Sequence, residues 1–398
     1  MSASTVATPA DRLEERALLR ASATSFVGRE SPPSRSRALR GKAPGFDLRF
    51  WAALAQQGWT GLLAPESVGG YGQGFAEMAE VVSALAEQAA PEPLTPVTVF
   101  AGRLLAGCGD QGMAAGLLEQ TASGQLLPAV AWQEDPTGSA SFDSQGHPSE
   151  PAAVCARSAS GLRLNGRKLH VRPGAGAHAY IVTASSSEGL ALVWLPAEAV
   201  GSKRLLQRLA DGTFAARLDL DNVVVPDSHL LASGDRARAA FAAAHDEALI
   251  MTGVELLAGG RRMLAMTLDY LRTRKQFGRP IGSYQALQHR AVDLFIQQEL
   301  SSAVLAHALT ELDRGIAGTE RAQLAARVKA RCSEAALTIA REAVQMHGAI
   351  GVTDEHDLGL YLQRTLVLSA WLGNAAQQRR RFAALSRRDA AGAKDSAR

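Results

Sequence analysis

Apolar positions divide the chain into three stretches with different periods. From residue 11 to about 126, and again from about 237, apolar side chains recur at the spacing of amphipathic helices, and alanine and leucine dominate. Between about 127 and 236, short apolar or alternating runs are separated by turn residues, which is typical of β-strands. The pattern predicts an α+β protein in which a β-barrel or β-sandwich is inserted between two helical domains, the second a four-helix bundle.

These stretches give four predicted segments. They are an N-terminal helical domain at 1–126, a middle β domain at 127–236, a C-terminal helical bundle at 237–388 and a polar, disordered tail at 389–398. Asn165-Gly166 is a strong signal for a hairpin turn within the β domain. Helices are predicted at 46–58, 239–270 and 320–346, and strands at 127–132, 152–156, 162–164, 168–171, 179–182, 190–195, 214–220 and 223–225.

Composition narrows the class of protein. With 46% hydrophobic and 20% charged residues, the 398-residue chain is typical of a globular protein of two or three domains. The net charge of +3 is too small and too scattered to indicate nucleic-acid binding. Cys108, Cys155 and Cys332 are widely spaced, so neither a metal cluster nor a disulfide framework is predicted. No membrane-spanning run or signal-peptide core is evident, so we expect a cytoplasmic protein.

The connection at 270–289 concentrates polar chemistry between two long helical stretches. The first helix must end there, because Gly278 permits unusual backbone geometry and Pro280 cannot continue a helix. Ser283 is the predicted N-cap of the next helix. Basic side chains beside the Phe277 ring, taken alone, would be explained as complements to the helix dipole. They are Arg272, Arg274 and Lys275.

The whole string is more specific than its basic residues. Arg274-Lys-Gln-Phe277-Gly-Arg-Pro-Ile281, followed by Gln285, resembles the acyl-CoA dehydrogenase flavoprotein family. The resemblance implies FAD as cofactor, an acyl-CoA substrate undergoing α,β-dehydrogenation, and an electron-transfer flavoprotein as acceptor. It implies that Arg274 contacts the FAD pyrophosphate, that Phe277 packs on the cofactor, and that Gln285 lies close by, commonly at the FAD of a neighbouring subunit. Arginine suits this role because its guanidinium offers phosphate a rigid fork of donors.

A second segment resembles the same family with one departure. Gln345-Met-His-Gly348-Ala349-Ile-Gly351 stands where the family has Gln-x-His-Gly-Gly-x-Gly, a motif that touches FAD across a subunit interface. Ala349 replaces one glycine, and its methyl group narrows the approach of a pyrophosphate to the backbone. By this resemblance Gln345, Gly348, Ala349 and Gly351 are cofactor contacts.

The middle domain departs further from the family. Gln133 stands where the family has a hydroxyl residue that bonds the flavin, and Ser139 matches its glycine-serine segment. His170 takes the place of the family's tryptophan. This histidine is either a strand residue with a satisfied ring or a contact to flavin or substrate.

The catalytic base is the largest departure. Removal of a thioester α-proton needs a positioned base, and most of the family uses the glutamate of a Tyr-Glu-Gly-Thr string. Here that string aligns with Trp371-Leu372-Gly-Asn, and leucine cannot accept a proton. The alternative family position, in the helix before Tyr270, holds Ala248. Glu247 and Glu255 are the candidate bases in that helix.

Glu255 also has a structural interpretation. It interrupts an apolar stretch, so it needs either a function or a partner, and an ion pair with Arg261 or Arg290 would satisfy it.

The departures together resemble the small subunits of bacterial heteromeric acyl-CoA dehydrogenases, which act on dicarboxylyl or steroid side-chain thioesters in fatty acid or steroid catabolism. Two functional hypotheses follow. The chain is either an FAD-dependent dehydrogenase, as a homodimer, homotetramer or half of a heterotetramer with a larger subunit, or a non-catalytic partner that completes a neighbour's FAD site. Leu372 keeps the second hypothesis open.

Overall fold

Three domains follow one another in the predicted order, which confirms the α+β fold class. The computed structural model describes residues 9–109, 111–136, 142–143 and 146–395. In this part of the chain, no helix is long and apolar enough to cross a membrane. The cytoplasmic location stays a prediction.

The N-terminal domain is helical, and local capping sets its boundaries. The predicted helix at 46–58 is shorter in the structure: the Asp47 carboxylate accepts the Arg49 N–H at 2.8 Å at its start, and Gly58 adopts φ 77° just beyond its end. A π-helix, Thr95–Ala101, leads directly into the α-helix that begins at Gly102. The helices are α1 (Pro9–Glu30), α2 (Pro33–Leu39), α3 (Leu48–Gln56), α4 (Phe75–Glu87), α5 (Gly102–Cys108) and α6 (Gly112–Ala122).

The middle domain is one mixed eight-stranded sheet. Its elements are β1 (Pro128–Ala131), β2 (Val154–Ser158), β3 (Gly161–Val171), β4 (Ala179–Ser186), β5 (Gly189–Pro196), α7 (Ala197–Val200), β6 (Arg204–Arg208), β7 (Phe214–Val225) and β8 (Leu230–Ser233). The strand order is β6-β7-β3-β2-β4-β5-β8, and β1 pairs in parallel with β4. The two runs predicted within 162–171 form one long strand, and so do the two within 214–225. The edge strands β6 and β8 were not predicted.

The hairpin predicted at Asn165-Gly166 is wrong. Both residues lie inside β3, and Gly166, at φ 136°, forms an irregularity in the pairing of β3 with β7. The Asn165 side chain accepts the backbone N–H of Asn222 at 2.9 Å. The strand continues because β2 and β7 pair with it on both sides, and the chain instead reverses between Ser158 and Gly161.

The C-terminal domain packs four long helices and one shorter helix. The last helix extends to Asp395 and so overlaps the tail predicted at 389–398. Alanines in this stretch favour helix, which continues the preceding turns. The helices are α8 (Gly234–Thr273), α9 (Gln285–Asp313), α10 (Gly318–His347), α11 (Leu358–Ala370) and α12 (Ala375–Asp395), and a hairpin of β9 (Lys275–Gln276) and β10 (Arg279–Pro280) joins α8 to α9.

The long helix α8 organises the molecule. Residues 244–260 are all buried, between the N-terminal helices on one side and α10 on the other. Helices α8 and α10 can approach each other closely because α8 has small residues at the contact. A Cβ on Gly253 would lie 2.6 Å from the Val328 side chain. A helix that is buried all round presents no simple amphipathic stripe, and any charge within it needs a partner.

Candidate cofactor surface and catalytic position

The segment at 274–285 forms a short hairpin and a 3₁₀ turn after the last turn of α8. Arg274 ends the helix, and its carbonyl accepts the Ile281 N–H at 2.8 Å, which closes the hairpin. Phe277 (φ 52°) and Gly278 (φ 82°) form the two-residue turn, in the geometry of a type I′ turn. Ser283 is not the N-cap of α9: its hydroxyl donates to the Pro280 carbonyl at 2.7 Å, because a short 3₁₀ turn precedes the helix.

The three residues predicted to meet FAD on this hairpin all face solvent. Arg274 and Gln285 are exposed, and Phe277 is 91% exposed. Within the described residues, the Arg274 guanidinium forms no ion pair. An unpaired guanidinium beside an exposed aromatic ring is a surface that can bind a phosphate and a flat ring system.

The predicted glycine motif forms the turn after α10. Residues Gly348–Val352 are a 3₁₀ turn, in which Gly348 and Ala349 are exposed, and Gln345 is exposed on the last turn of α10. Gly351 is buried instead: a Cβ there would lie 2.9 Å from the His347 Cβ. Its missing side chain therefore lets the turn fold back on α10.

Two ring systems bring these segments together. Tyr270, in the last turn of α8, stacks on His347, the last residue of α10, with 4.5 Å between ring centroids and 20° between planes. The hairpin and the turn thus leave from adjacent helix ends. Helix C-termini carry negative partial charge, so cations are needed before an anion can bind here. The hairpin supplies them: Arg274, Lys275 and Arg279.

Of the middle-domain candidates, Gln133 has a structural partner. The Gln133 carbonyl accepts the Leu169 N–H at 2.7 Å, which holds its segment beside β3. The neighbouring Glu134 accepts from the buried Lys168 Nζ at 2.5 Å and from the Ala152 N–H at 2.6 Å. His170 adopts φ 52°. Ser139 lies outside the described residues.

The usual position of the base is buried and apolar. Leu372 is 1% exposed and adopts φ 59°, and it packs within the hydrophobic core. Its loop is held by buried polar side chains: Lys329 Nζ donates to the carbonyls of Ser369 and Gly373, both at 3.0 Å, and Gln378 Nε2 donates to the Leu372 carbonyl at 2.7 Å. Burial lowers the pKa of Lys329 to about 7.

Both candidate carboxylates of α8 are engaged by arginines. Glu247 accepts from Arg103 at 2.9 and 3.4 Å. Glu255 accepts from the Thr95 hydroxyl at 2.6 Å and from Arg364 at 3.0 Å. The oxygens of both carboxylates are therefore occupied by donors from the N-terminal domain and from α11.

Glu255 forms an ion pair with an arginine, as its structural interpretation predicts, but the partner is neither Arg261 nor Arg290. Arg261 donates to the Ser302 hydroxyl at 2.6 Å, and Arg290 pairs with Glu342 at 3.4 Å. Glu255 is instead reached by Arg364 from α11, which lies across α8 in the fold.

A buried arginine joins the segment after His170 to the string that aligns with the family's catalytic base. Arg172, two residues after His170, is buried, and its guanidinium lies 5.1 Å from the centre of the Trp371 ring. Its Nη1 atom has no hydrogen-bond partner among the described residues. Burial lowers its pKa to about 10, with a smaller contribution from the nearby Arg364. The burial of Arg172 and its contact with Trp371 were not predicted, because the local pattern of apolar and polar residues does not show which charged side chain is buried.

The residues present therefore fit one half of FAD better than the other. The exposed hairpin and turn offer cations, an aromatic ring and backbone amides to the nucleotide and pyrophosphate. Around the ring position, a buried guanidinium covers Trp371 and Gln133 replaces a hydroxyl, so the donor set differs from the family's.

Comparisons with known proteins identify the family. Residues 13–125 match the acyl-CoA dehydrogenase N-terminal domain, and residues 242–385 match the acyl-CoA dehydrogenase C-terminal domain. The acyl-CoA dehydrogenase IpdE2 of Mycobacterium tuberculosis is 30% identical over 354 residues, which cover 88% of this chain and 91% of that protein.

Solved structures agree with these sequence matches. A variant of the steroid ACAD Tcur3481-Tcur3483 is 26% identical with a TM-score of 0.83, covering 95% of this chain and 99% of that one. The ChsE4-ChsE5 complex of Mycobacterium tuberculosis is 26% identical with a TM-score of 0.81, covering 95% and 97%. On these grounds the chain belongs to the acyl-CoA dehydrogenase family of oxidoreductases, whose cofactor is FAD.

Proposed function

We propose that this chain is one subunit of a hetero-oligomeric, FAD-dependent acyl-CoA dehydrogenase. Its hairpin and its 348–352 turn bind the nucleotide side of an FAD whose ring lies in the partner subunit, and the partner supplies the proton-abstracting carboxylate. The observation that carries this proposal is the buried, apolar Leu372 at the usual position of that carboxylate.

The chemistry of proton abstraction supports this division of labour. A thioester α-proton is removed only by a base that is close, accessible and suitably basic. Leu372 has no basic atom, and the carboxylates of Glu247 and Glu255 are buried and paired with arginines. A subunit with these three features suits a supporting role in the reaction.

Each residue of the surface has a proposed task. Arg274 donates to the pyrophosphate, Phe277 packs on the cofactor, and the side chains of Gln285 and Gln345 donate to or accept from its polar atoms. The backbone at Gly348 and Ala349 lies against it. When bound, FAD supplies the hydride acceptor that the dehydrogenation requires.

Similar proteins support the hetero-oligomer and suggest a substrate class. Two of the similar structures carry two chain names each, ChsE4-ChsE5, which is described as a complex, and Tcur3481-Tcur3483, described as a steroid ACAD. We therefore include in the proposal an acyl-CoA thioester derived from a steroid, and an electron-transfer flavoprotein as the acceptor of the electrons.

The test is a visible spectrum of the chain expressed alone and with its partner subunit, with subunit stoichiometry by mass. We expect a colourless lone chain and one flavin for each pair of unlike subunits. Arg274→Ala should weaken FAD binding by the complex about tenfold or more, since a charge-assisted hydrogen bond contributes roughly 1.5–3 kcal/mol. Arg163→Ala, at an exposed arginine of the β domain, is the matched control.

Other outcomes would contradict the proposal. A lone chain that is yellow and bleaches with acyl-CoA under anaerobic conditions would be a complete dehydrogenase, with its base at Glu255 or Glu247. Equal FAD affinity in the Arg274→Ala and Arg163→Ala complexes would remove the hairpin from the cofactor site.

A further inference from the structure

A stack of two rings, Tyr270 and His347, lies between the hairpin and the 348–352 turn. The hairpin begins just after the last turn of α8, which contains Tyr270, and the 348–352 turn begins immediately after His347. The Tyr270 and His347 rings meet where the two helices end and the two segments diverge. Their stack therefore sets the separation of the hairpin and the turn.

Each segment is fixed to its own ring. On the α8 side, the hairpin returns tightly against the last helical turn: a Cβ on Gly282 would lie 2.8 Å from the Leu271 carbonyl oxygen. On the α10 side, the turn folds over His347, where the lack of a side chain on Gly351 allows the contact. A change in the position of either ring would therefore move the whole segment attached to it.

The His347 ring is held in one orientation. It is buried, and its Nδ1 lies 2.8 Å from the Ala343 carbonyl, to which it must donate because a carbonyl only accepts. The opposite nitrogen, Nε2, is buried without a hydrogen-bond partner among the described residues. Burial lowers the pKa of His347, so the neutral ring is favoured. The His356 ring packs edge-on at 4.8 Å.

We propose that Tyr270 and His347 are positioning residues for FAD. The stacked rings hold Arg274 on the hairpin and Gly348 on the turn at the separation that a single cofactor spans. This inference rests on the proposed function, in which both segments bind the same FAD. Preorganisation matters because a surface whose halves move independently must be ordered when the ligand binds, and that ordering weakens affinity.

The experiment compares pairs of variants that keep or remove the stack. FAD is titrated into the deflavinated complex, and binding is followed by flavin fluorescence. Tyr270→Leu should weaken FAD binding about three- to tenfold, since the hairpin and the turn would then have to be ordered when FAD binds. Tyr270→Phe, which keeps the ring, should stay within about twofold of the wild type.

The second pair approaches the stack from the other ring. His347→Gln keeps a donor for the Ala343 carbonyl and loses the stack, whereas His347→Phe keeps the stack and loses the donor. We expect weaker FAD binding only in His347→Gln. This pair also decides the matter if Tyr270→Leu does not fold.

Two further measurements separate positioning from general stability and from the proposed function. The melting temperature of each lone chain reports folding, and the mass of each complex reports assembly. Equal FAD affinities in the variants that keep the stack and in those that lose it would overturn the inference. If Arg274→Ala weakens FAD binding but Tyr270→Leu and His347→Gln do not, only the positioning role fails. If Arg274→Ala also has no effect, the proposed function fails.

Discussion

At the scale of single residues, the carboxylate of Glu255 is tolerated inside the buried helix α8 because it has polar partners. Glu255 stands out in the sequence because it interrupts an apolar stretch, and the structure pairs it with a hydroxyl from the N-terminal domain and a guanidinium from α11. Arg364 also binds Asp211 of the middle domain at 2.9 Å. These groups join all three domains, so we interpret Glu255 as a structural residue.

This interpretation predicts a loss of stability without a loss of chemistry. Glu255→Ala should lower the free energy of unfolding by about 3 kcal/mol, because it leaves the Arg364 guanidinium, which is only 14% exposed, with one carboxylate partner instead of two. Chemical denaturation of the lone chain measures this. The matched control is Glu355→Ala at an exposed position. A complex whose folded fraction keeps its stability but loses α-proton exchange would instead make Glu255 the base.

At the scale of elements, the turn-favouring pair Asn165-Gly166 forms no turn, whereas Phe277-Gly278 does. Asn165-Gly166, which favours a type I′ turn, lies within a strand, whereas the turn at Phe277-Gly278 uses a residue that rarely adopts positive φ. Strand pairing on both sides extended the chain in the first case. In the second, the reversal joins α8 to α9. The exposed Phe277 at its tip suits the proposed contact with the cofactor better than it suits the turn.

One substitution at Phe277 should therefore stabilise the lone chain and weaken FAD binding by the complex. Phe277→Asn should raise the free energy of unfolding of the lone chain by about 0.5–1 kcal/mol, since asparagine suits the first position of a type I′ turn. The same change should weaken FAD binding by the complex, because the packing ring is lost. Thermal unfolding and FAD titration measure the two effects. A Phe277→Asn complex with unchanged affinity would exclude Phe277 from the cofactor site.

At the scale of the whole molecule, one face of α9 is apolar and exposed. Val292, Phe295, Ile296 and Leu300 lie on neighbouring turns, with exposed fractions between 45% and 55%. Exposed apolar patches of this kind mark interaction surfaces. The face begins close to the hairpin, so an associated subunit would lie next to the proposed FAD surface.

We therefore expect Phe295→Glu to weaken association with the partner subunit by about tenfold or more, because it buries a charge in an apolar contact. Sedimentation of the mixed subunits measures the association. Leu205→Glu, at a similarly exposed apolar residue of β6, should leave it unchanged. Equal association of the two variants would exclude this face of α9 from the interface.

The sequence by itself determined the family, the order of helical and β domains and the FAD cofactor. It could do so because periodicity and motif strings are local: α8, α10 and the hairpin at 274–285 are all encoded by neighbouring residues. The substitution of Leu372 for a carboxylate was visible for the same reason.

Only the tertiary structure decided which residues act together. The pairing of Glu255 with Arg364, the burial of Arg172 on Trp371 and the stack of Tyr270 on His347 each join positions that lie far apart along the chain. Such contacts depend on how helices pack across one another, and packing is set by shape and burial over the whole chain. Local periodicity specifies which face of an element is apolar, while the partner of that face is chosen by the fold.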